Sequence, residues 1–387
     1  MFKDDDFQLQ NEDKLLLCCA RTRINKEIEK KIISLVSMDL DWEYLVNMAS
    51  RHRLRPLLYV NLNSICPEKL PEDVLGNLKS YYMANVQKNL MLTGELVKII
   101  NILESNDIKA IPYKGPVLAT SAYGNIGLRE FGDIDIFIDK SDALKVKNAM
   151  LTNEYELCPP INIEDSFYMK FNAEYRFINN KTNHIIEIKW KFEDDFFSFP
   201  VNPQILLEEL NKLDINSFQL NTFSPSNIIL IICIHCANHS WSRLSWICDI
   251  SEFIQSEKMD WYDVLEKSEK LGVKRILLIN LILARDFFDL KLPNEILSHL
   301  NSDSSAKQIS FQIKKRIFKK QFNIAERFIL DLKKRENLKD GVKDCINGLI
   351  TPSYADFLDM QLNEQFFPLY HIIRPFLLIK RYGKGPV

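Results

Sequence analysis

The chain has 387 residues, of which 46% are hydrophobic and 26% charged, and its formal net charge is −2 at pH 7. This length and composition are those of a globular protein with two or three packed units. The balanced charge argues against a broad basic surface that grips nucleic acid by charge alone, so nucleic acid is a partner we do not favour unless a local basic groove exists.

The pattern of apolar residues divides the chain into three regions. Apolar residues recur at three- and four-residue spacing through residues 1–105, which predicts an N-terminal helical region. Residues 106–200 change to short alternating segments, which predict a small α/β unit with a mixed sheet. Helical spacing returns over residues 201–387. The predicted fold class is therefore α+β, predominantly helical, with the small sheet as a core flanked by helical regions.

Four strands are predicted in the middle region, with a helix between the second and the third. IKAIPY (108–113) is short and rich in isoleucine, and DIDIFID (133–139) alternates acidic and apolar residues, so both are predicted strands. A helix with Ser141 as its N-cap is predicted over SDALKVKNAMLTNEY. AEYRFINN (173–180) and HIIEIKWKF (184–192) predict a strand pair joined by a polar turn.

Acidic residues of these strands carry the main functional signal. Because alternate residues of a strand share a face, Asp133 and Asp135 point the same way. Glu187 alternates with apolar residues in HIIEIKWKF, and it would lie beside the two aspartates if that strand were the neighbour of DIDIFID. Such carboxylates suit Mg²⁺ or Mn²⁺ and would repel one another without a cation. Asp133, Asp135 and Glu187 are the predicted catalytic and metal-binding residues; the alternatives are an acidic edge strand and a salt bridge of Glu187 to Lys189 or Arg176.

The turn before the acidic strand is predicted to contact phosphate. The first strand ends at Lys114 and Gly115, and a helix is expected to begin at or soon after Pro116. Backbone N–H groups at such a helix start can bind phosphate, while Lys114 adds a charge and Gly115 allows close approach. Arg129 could reach the triphosphate from the other side, unless Glu130 or Asp133 holds it in an ion pair. A solvated loop lysine is the alternative for Lys114.

These segments resemble those of the nucleotidyltransferase superfamily, whose core is similar to DNA polymerase β, and more narrowly the bacterial family of uncharacterised nucleotidyltransferases. The resemblance rests on YKGPVL, on Tyr123 and Arg129 before the D-x-D pair, on HIIEIKW, and on HCANHSWSRLSWICDI. It implies an NTP substrate, with ATP the expected one, and a carboxylate-bound Mg²⁺ or Mn²⁺. The superfamily's usual Gly-Ser pair is replaced here by Lys114-Gly115-Pro116, so Lys114 or Ser121 would take the role of that serine.

A segment rich in histidine and tryptophan follows in the C-terminal region. On a single helix His235, His239 and Ser242 would lie along one face, with Trp246 and Asp249 near the same stripe. By resemblance to antibiotic-modifying transferases, this region would cover the nucleotide and help to build the acceptor pocket. The alternatives are buried histidines that hydrogen-bond the backbone and a zinc site formed with nearby cysteines.

The predicted function is metal-dependent transfer of a nucleoside monophosphate from an NTP to an acceptor hydroxyl, with release of pyrophosphate. The acceptor is a small molecule, a natural-product peptide or a protein. The alternatives are a nucleotide-binding scaffold without turnover and a toxin-type transferase that acts on tRNA. The residues expected to contact the nucleotide are Lys114, Gly115, Ser121, Arg129, Lys189 and His239.

The ends of the chain and its cysteines bear on its location. The acidic start MFKDDDFQLQ and eight scattered cysteines predict reduced thiols in a cytoplasmic protein. No run of 18 or more apolar residues is present, so no membrane span is predicted. LYHIIRPFLLIKRY (369–382) is predicted to be a buried terminal helix, with a peripheral membrane contact as the alternative.

Overall fold

A computed structural model describes residues 9–160, 163–192, 203–319 and 322–382. The chain begins with the helices α1 (Asn11–Cys19), α2 (Lys26–Val36), α3 (Trp42–Arg51), α4 (Arg55–Ile65) and α5 (Glu72–Glu104). Asn25 and Asp41 start α2 and α3, where their side chains accept backbone N–H groups of the first turn, as N-caps do. The predicted helical N-terminal region is confirmed.

The long helix α5 holds the loop that leads into the acidic strand. Asn85 Nδ2 donates to the carbonyl oxygens of Gly127 and Arg129 at 3.0 and 3.2 Å. Asn89 Nδ2 donates to those of Ile126 and Arg129 at 2.6 and 2.8 Å. Both asparagines are buried, so these bonds satisfy loop carbonyls that are withdrawn from water. The N-terminal helices therefore fix the approach to the sheet.

The middle region forms a mixed sheet, as predicted, but with five strands where four were predicted. Its elements are β1 (Ile111–Pro112), α6 (Pro116–Ser121), β2 (Asp133–Phe137), α7 (Ala143–Leu151), β3 (Tyr155–Leu157), α8 (Asp165–Phe171), β4 (Glu174–Asn179) and β5 (Ile185–Lys189). The strand order is β1-β2-β5-β4-β3. β2 and β5 run parallel, and the other neighbouring pairs are antiparallel.

One face of this sheet is apolar and the other is charged. Ile134 and Ile136 of β2 pair with Ile186 and Ile188 of β5, and all four side chains are buried. The intervening residues point to the opposite face, because successive side chains of a strand alternate. The isoleucines bury the strands against the core, and this burial fixes the register, since a slip of one residue would move every acid into the core.

Two local predictions in the middle region are wrong. Asp139 caps the turn after β2, because its side chain accepts the N–H of Ser141 at 2.8 Å, so Ser141 is not the N-cap. The predicted helix also ends early: α7 stops at Leu151, and Tyr155 starts β3. Glu154, with φ +69°, makes the turn between them, and the residues after it pair with β4 instead of continuing the helix.

A β-hairpin stands where helix was predicted after residue 200. It consists of β6 (Leu210–Ile215) and β7 (Phe218–Phe223), joined by Asn216 and Ser217, which both have positive φ. Such a pair of positive φ values is the geometry of a two-residue hairpin turn. Thr222 Oγ1 donates to the Pro112 carbonyl at 2.7 Å, so the hairpin packs against β1 of the central sheet.

The rest of the chain is helical, as predicted. The helices are α9 (Pro225–Asn238), α10 (Leu244–Ser256), α11 (Trp261–Lys270), α12 (Lys274–Phe288), α13 (Asn294–Ser302), α14 (Ser304–Arg316), α15 (Ile324–Lys333), α16 (Leu338–Ile350), α17 (Tyr354–Met360) and α18 (Phe367–Tyr382). α9 and α12 are buried along most of their length and form the centre of this region. Among the helices that the structure describes, none has the length and apolarity needed to span a membrane.

The prediction that the C-terminal segment is a buried helix is wrong in part. α18 buries Tyr370 and Leu377, but Ile372, Phe376 and Ile379 are 66%, 68% and 68% exposed. The helix packs against α16 and α17, and its Tyr370 ring also contacts Phe171 of α8. Apolar residues occur on both the buried and the exposed sides of α18, so the sequence alone could not show which side packs against the rest of the protein.

Candidate active site

A cleft of about 580 Å³ lies beside the charged face of the sheet. This volume is within the ~300–1,000 Å³ of typical small-molecule sites, but charged side chains replace the usual apolar lining. Its acidic lining residues are Glu130, Asp133, Asp135, Glu174, Glu187 and Asp249. Its basic lining residues are Arg53, Lys114, Arg129, Arg176, Lys189, Lys191 and Arg243.

The three predicted carboxylates share the charged face of the sheet. Asp135 pairs in register with Glu187 across the parallel strands β2 and β5, and Asp133 lies two residues earlier on the same face. Glu174, which pairs with Lys189 across β4 and β5, adds a fourth carboxylate that the sequence analysis did not single out. Its alternation within AEYRFINN was the signal that could have identified it.

Two lysine ammonium groups lie among these carboxylates. Lys189 Nζ is 3.5 Å from Asp135 Oδ1, 3.1 Å from Glu174 Oε2 and 3.0 Å from Glu187 Oε2. Lys114 Nζ is 3.3 Å from the same oxygen of Asp135. Lys189 is therefore the centre of the charged cluster, and it balances carboxylates that would otherwise repel one another.

Glu187 has both of its carboxylate oxygens engaged. Arg176 Nη2 donates to Oε1 at 2.6 Å, and Lys189 Nζ lies 3.0 Å from Oε2. The salt bridge that was the alternative interpretation of Glu187 is therefore present, with both partners. It is compatible with a place in the cleft, because Glu187 still lies beside Asp135.

The two aspartates of β2 are in different electrostatic environments. Burial, together with repulsion from Asp135 and Glu187, raises the pKa of Asp133 above its ordinary value. Burial also acts to raise the pKa of Asp135, but Lys114 and Lys189 outweigh it and hold that pKa below the ordinary value. Asp135 is thus the carboxylate that the lysines keep ionised.

The Lys114–Gly115 turn packs tightly against β2. Gly115 has φ +48°, and a Cβ at this position would lie 3.0 Å from the carbonyl oxygen of Asp133. Only glycine adopts this conformation without strain at so short a distance. The turn places Lys114 Nζ between Asp135 and the ring of His235, whose Nδ1 is 3.3 Å away.

Helix α6 begins at Pro116, as predicted, but it has only six residues. Ser121, the candidate substitute for the missing phosphate-binding serine, lies at its far end. Its Oγ donates to the Val117 carbonyl at 2.9 Å, and Ser121 is not among the residues that line the cleft. We therefore leave Ser121 out of the site that we propose.

Arg129 has a partner that its sequence neighbourhood did not indicate. Its Nε and Nη2 donate to the two carboxylate oxygens of Asp249 on α10 at 2.9 and 2.8 Å. Tyr123 Oη donates to the same carboxylate at 2.7 Å. The acid that holds Arg129 is thus neither Glu130 nor Asp133. Arg129 lines the cleft, but its charge is balanced, and its bidentate bond fixes α10 beside the loop into β2.

The histidines and tryptophan form a ring cluster, although they do not lie on one helix as predicted. α9 ends at Asn238, and Ser240 and Trp241 have positive φ before α10 begins. The ring centroids of His235 and His239 are nevertheless 4.6 Å apart, and His239 is 5.0 Å from Trp246. Burial and Lys114 lower the pKa of His239 to about 4, so its ring is neutral at pH 7.

The cleft has side chains of the chemical type that binds a divalent cation. Asp133, Asp135 and Glu187 are oxygen donors on one face of a cleft, as Mg²⁺ requires. In the described ranges, however, no group of three or more His, Cys, Asp or Glu side chains could hold a metal ion as placed. The ammonium groups of Lys114 and Lys189 contact the carboxylates instead. The zinc alternative finds no support in the same ranges.

Comparison with known proteins places the chain in a family. A family model described as an uncharacterised nucleotidyltransferase matches residues 38–289, which is 252 of the 387 residues. The matched range includes the whole central sheet and every lining residue of the cleft. A search of the curated proteins found no match.

Proposed function

The chain belongs to the uncharacterised nucleotidyltransferase family, and we propose that it transfers a nucleoside monophosphate from an NTP, with ATP as the expected donor, to an acceptor hydroxyl. The acceptor oxygen bonds to the α-phosphorus while the bond from that phosphorus to the α,β-bridging oxygen breaks. Pyrophosphate leaves, and the hydroxyl proton passes to a carboxylate of the cleft. The acceptor class is a small molecule, a natural-product peptide or a protein.

The observation that carries the proposal is that Asp135 pairs with Glu187 across parallel neighbouring strands, with Asp133 two residues earlier on the same face. These three residues would hold Mg²⁺ or Mn²⁺. When bound, the ion supplies stabilisation for the charge that develops on the phosphoryl oxygens. The metal and the nucleotide both lie in the cleft in this proposal, since the same residues line it.

Two lysines of the cleft bind and orient the triphosphate. Lys114 lies at the tight turn beside Asp135, and Lys189 lies between Asp135 and Glu187. Each can exchange a carboxylate for a phosphate oxygen without leaving the cleft. Arg129 is held by Asp249 and acts by positioning α10.

Glu174 is the carboxylate to which we assign the acceptor proton. Burial and repulsion from Glu187 raise the pKa of Glu174, although Lys189 acts to lower it. A raised pKa brings a carboxylate closer to the value that suits a general base near neutral pH. Glu187, the residue predicted for this role from the sequence, has cations at 2.6 and 3.0 Å from its two oxygens, whereas Oε1 of Glu174 is 3.9 Å from Arg176 Nη2.

The test is transfer of label from NTPs carrying ³²P at the α-phosphate to the components of a cell extract. We expect a labelled product with the wild type and Mg²⁺, and none with Asp135→Asn. Asp214→Asn is the matched control, because Asp214 is an exposed residue of β6. Label transfer by Asp135→Asn at the wild-type rate would contradict the proposal.

A nucleotide-binding protein without turnover is the second candidate. It is favoured by one observation, namely that lysines and Arg176 already engage the carboxylates Asp135, Glu174 and Glu187. Such a protein would gain thermal stability with NTP, since a ligand that binds the folded state stabilises it. It would release no pyrophosphate with any acceptor, whereas the transferase releases pyrophosphate with its own acceptor.

A further inference from the structure

Two arginines of the cleft are not used by the proposed reaction. Arg53 lies between α3 and α4, and Arg243 directly precedes α10; both line the cleft. The buried ring of His52 brings their backbones together, because its Nδ1 accepts the N–H of Leu244 at 3.2 Å. Each arginine is the sequence neighbour of one partner in that hydrogen bond. The two residues therefore come from distant parts of the chain to adjoining places on the cleft wall.

Within the part of the chain that the structure describes, the two arginines have no acidic partner. Across the described ranges, no carboxylate oxygen lies within 4.0 Å of the guanidinium of Arg53 or Arg243. The contact of Arg243 is with the ring of Trp246, whose centroid is 5.2 Å from its guanidinium carbon. This distinguishes the pair from Lys114, Lys189 and Arg129, which all contact carboxylates.

The electrostatics of the pair favour an anion. Both side chains are half-buried. Burial and repulsion from Arg53 lower the pKa of Arg243, while Asp133 and Glu130 act more weakly to raise it. Two like charges that are partly withdrawn from water without a counter-ion repel each other and lose solvation. A bound anion offsets the repulsion and replaces the lost interactions with water. A guanidinium group also matches the oxygens of a phosphate in geometry.

We propose that Arg53 and Arg243 form a phosphate-binding subsite, separate from the Lys114 turn. Its ligand is a phosphate group, either the terminal phosphates of the NTP or a phosphate carried by the acceptor. Phosphate binding itself does not require turnover, so the proposal rests on the proposed function only for the choice between these two sources.

The subsite is tested by isothermal titration of the metal-free protein with tripolyphosphate and with inorganic phosphate. Arg53→Gln and Arg243→Gln are each expected to weaken tripolyphosphate binding about tenfold or more, because each removes a charge-assisted hydrogen bond. Arg23→Gln is the matched control, since Arg23 is exposed and donates to the Gln255 carbonyl away from the cleft. Thermal unfolding verifies that each variant is folded. Equal binding by the wild type and both cleft variants, or no binding by the wild type, overturns the proposal.

Titrations with nucleotide then separate the two sources. If the subsite takes the terminal phosphates, both variants lose affinity for ATP but not for AMP, and ATP displaces tripolyphosphate. If it takes an acceptor phosphate, the affinity for ATP is unchanged, and inorganic phosphate binds to the ATP complex. If the two variants lose tripolyphosphate binding but the wild type transfers no label in cell extract, the subsite is supported and the proposed function is contradicted. If the wild type transfers label but the two variants bind tripolyphosphate as tightly as the wild type, the proposed function is supported and the subsite is contradicted.

Discussion

Lys189 is expected to compete with a divalent cation for the carboxylates of the cleft. Its ammonium lies 3.5, 3.1 and 3.0 Å from oxygens of Asp135, Glu174 and Glu187. A metal ion that binds Asp135 and Glu187 must therefore displace Lys189 or share these oxygens with it. Lys189→Met removes the charge and keeps a side chain of similar length. We predict that this variant binds Mn²⁺ more tightly than the wild type when no nucleotide is present.

The distances set the size of the effect. At a separation of 3.0 Å and an effective dielectric constant of ~20, one ion pair is worth about 5 kcal/mol before the cost of desolvation. Removal of one partner of a buried ion pair costs about 3–5 kcal/mol, so the metal-free variant should be less stable by about that amount. Because Mn²⁺ would relieve part of the resulting repulsion, we expect at least tenfold tighter binding, or about 1.4 kcal/mol.

The assay is an electron paramagnetic resonance titration of free Mn²⁺, supported by thermal unfolding with and without the ion. Arg53→Met is the matched control, because it removes one positive charge from the same cleft without breaking an ion pair. The unfolding temperature of Lys189→Met should rise with Mn²⁺ by more than that of the wild type. Mn²⁺ affinity of Lys189→Met no greater than that of Arg53→Met would refute the competition.

Three further substitutions test the positioning of the site. Asp249→Asn should lower the free energy of unfolding by about 3 kcal/mol, because it leaves the buried Arg129 without its counter-ion; unchanged denaturant unfolding would contradict this role. Gly115→Ala should lower the free energy of unfolding by about 1–3 kcal/mol, because φ is +48° and the new Cβ would lie 3.0 Å from the carbonyl oxygen of Asp133. The control is Gly76→Ala in α5, where a Cβ meets nothing within 4 Å and the same assay should show no loss of stability or a gain. Burial lowers the pKa of His52 in the folded protein to about 3, from an ordinary value of 6.5. The neutral His52 ring therefore contributes its full stabilisation above pH 6.5. Below that pH the free energy of unfolding falls by up to about 1.4 kcal/mol per pH unit, because the unfolded chain binds a proton that the folded protein does not. His52→Gln should show a shallower loss of stability than the wild type between pH 6.5 and 4.5, and equal slopes would be evidence against a neutral buried His52.

Four of the five strands of the central sheet could be predicted because their signal is local. Alternation in DIDIFID and HIIEIKWKF separates buried isoleucines from acids, and a strand can bury only one set at a time. The shared face of Asp133, Asp135 and Glu187 follows from that alternation once β2 and β5 are neighbours. That these residues bind a metal, and that Lys114 and Lys189 bind phosphate, stays a prediction.

The rest depends on contacts between distant parts of the chain. Nothing near Arg129 in sequence indicates Asp249 as its partner, although both belong to the motifs that carry the family resemblance. The hairpin at residues 210–223 carries apolar residues at irregular spacing, and its contacts with the sheet, through Thr222 and Phe223, join distant parts of the chain. Arg53 lies outside the segments that carry the family resemblance, and Arg243 lies inside one of them, HCANHSWSRLSWICDI. Nothing in the sequence pairs the two arginines, which become neighbours through the hydrogen bond between His52 and Leu244.

The central claim is that the carboxylates of β2 and β5 hold a divalent ion together with a bound NTP. The most direct measurement is the affinity for a non-hydrolysable ATP analogue by isothermal titration, with and without Mn²⁺, for the wild type, Asp135→Asn and the exposed control Asp214→Asn. We predict that Mn²⁺ tightens binding at least tenfold in the wild type and in Asp214→Asn, and has no effect on Asp135→Asn. Full metal dependence retained by Asp135→Asn would contradict the claim.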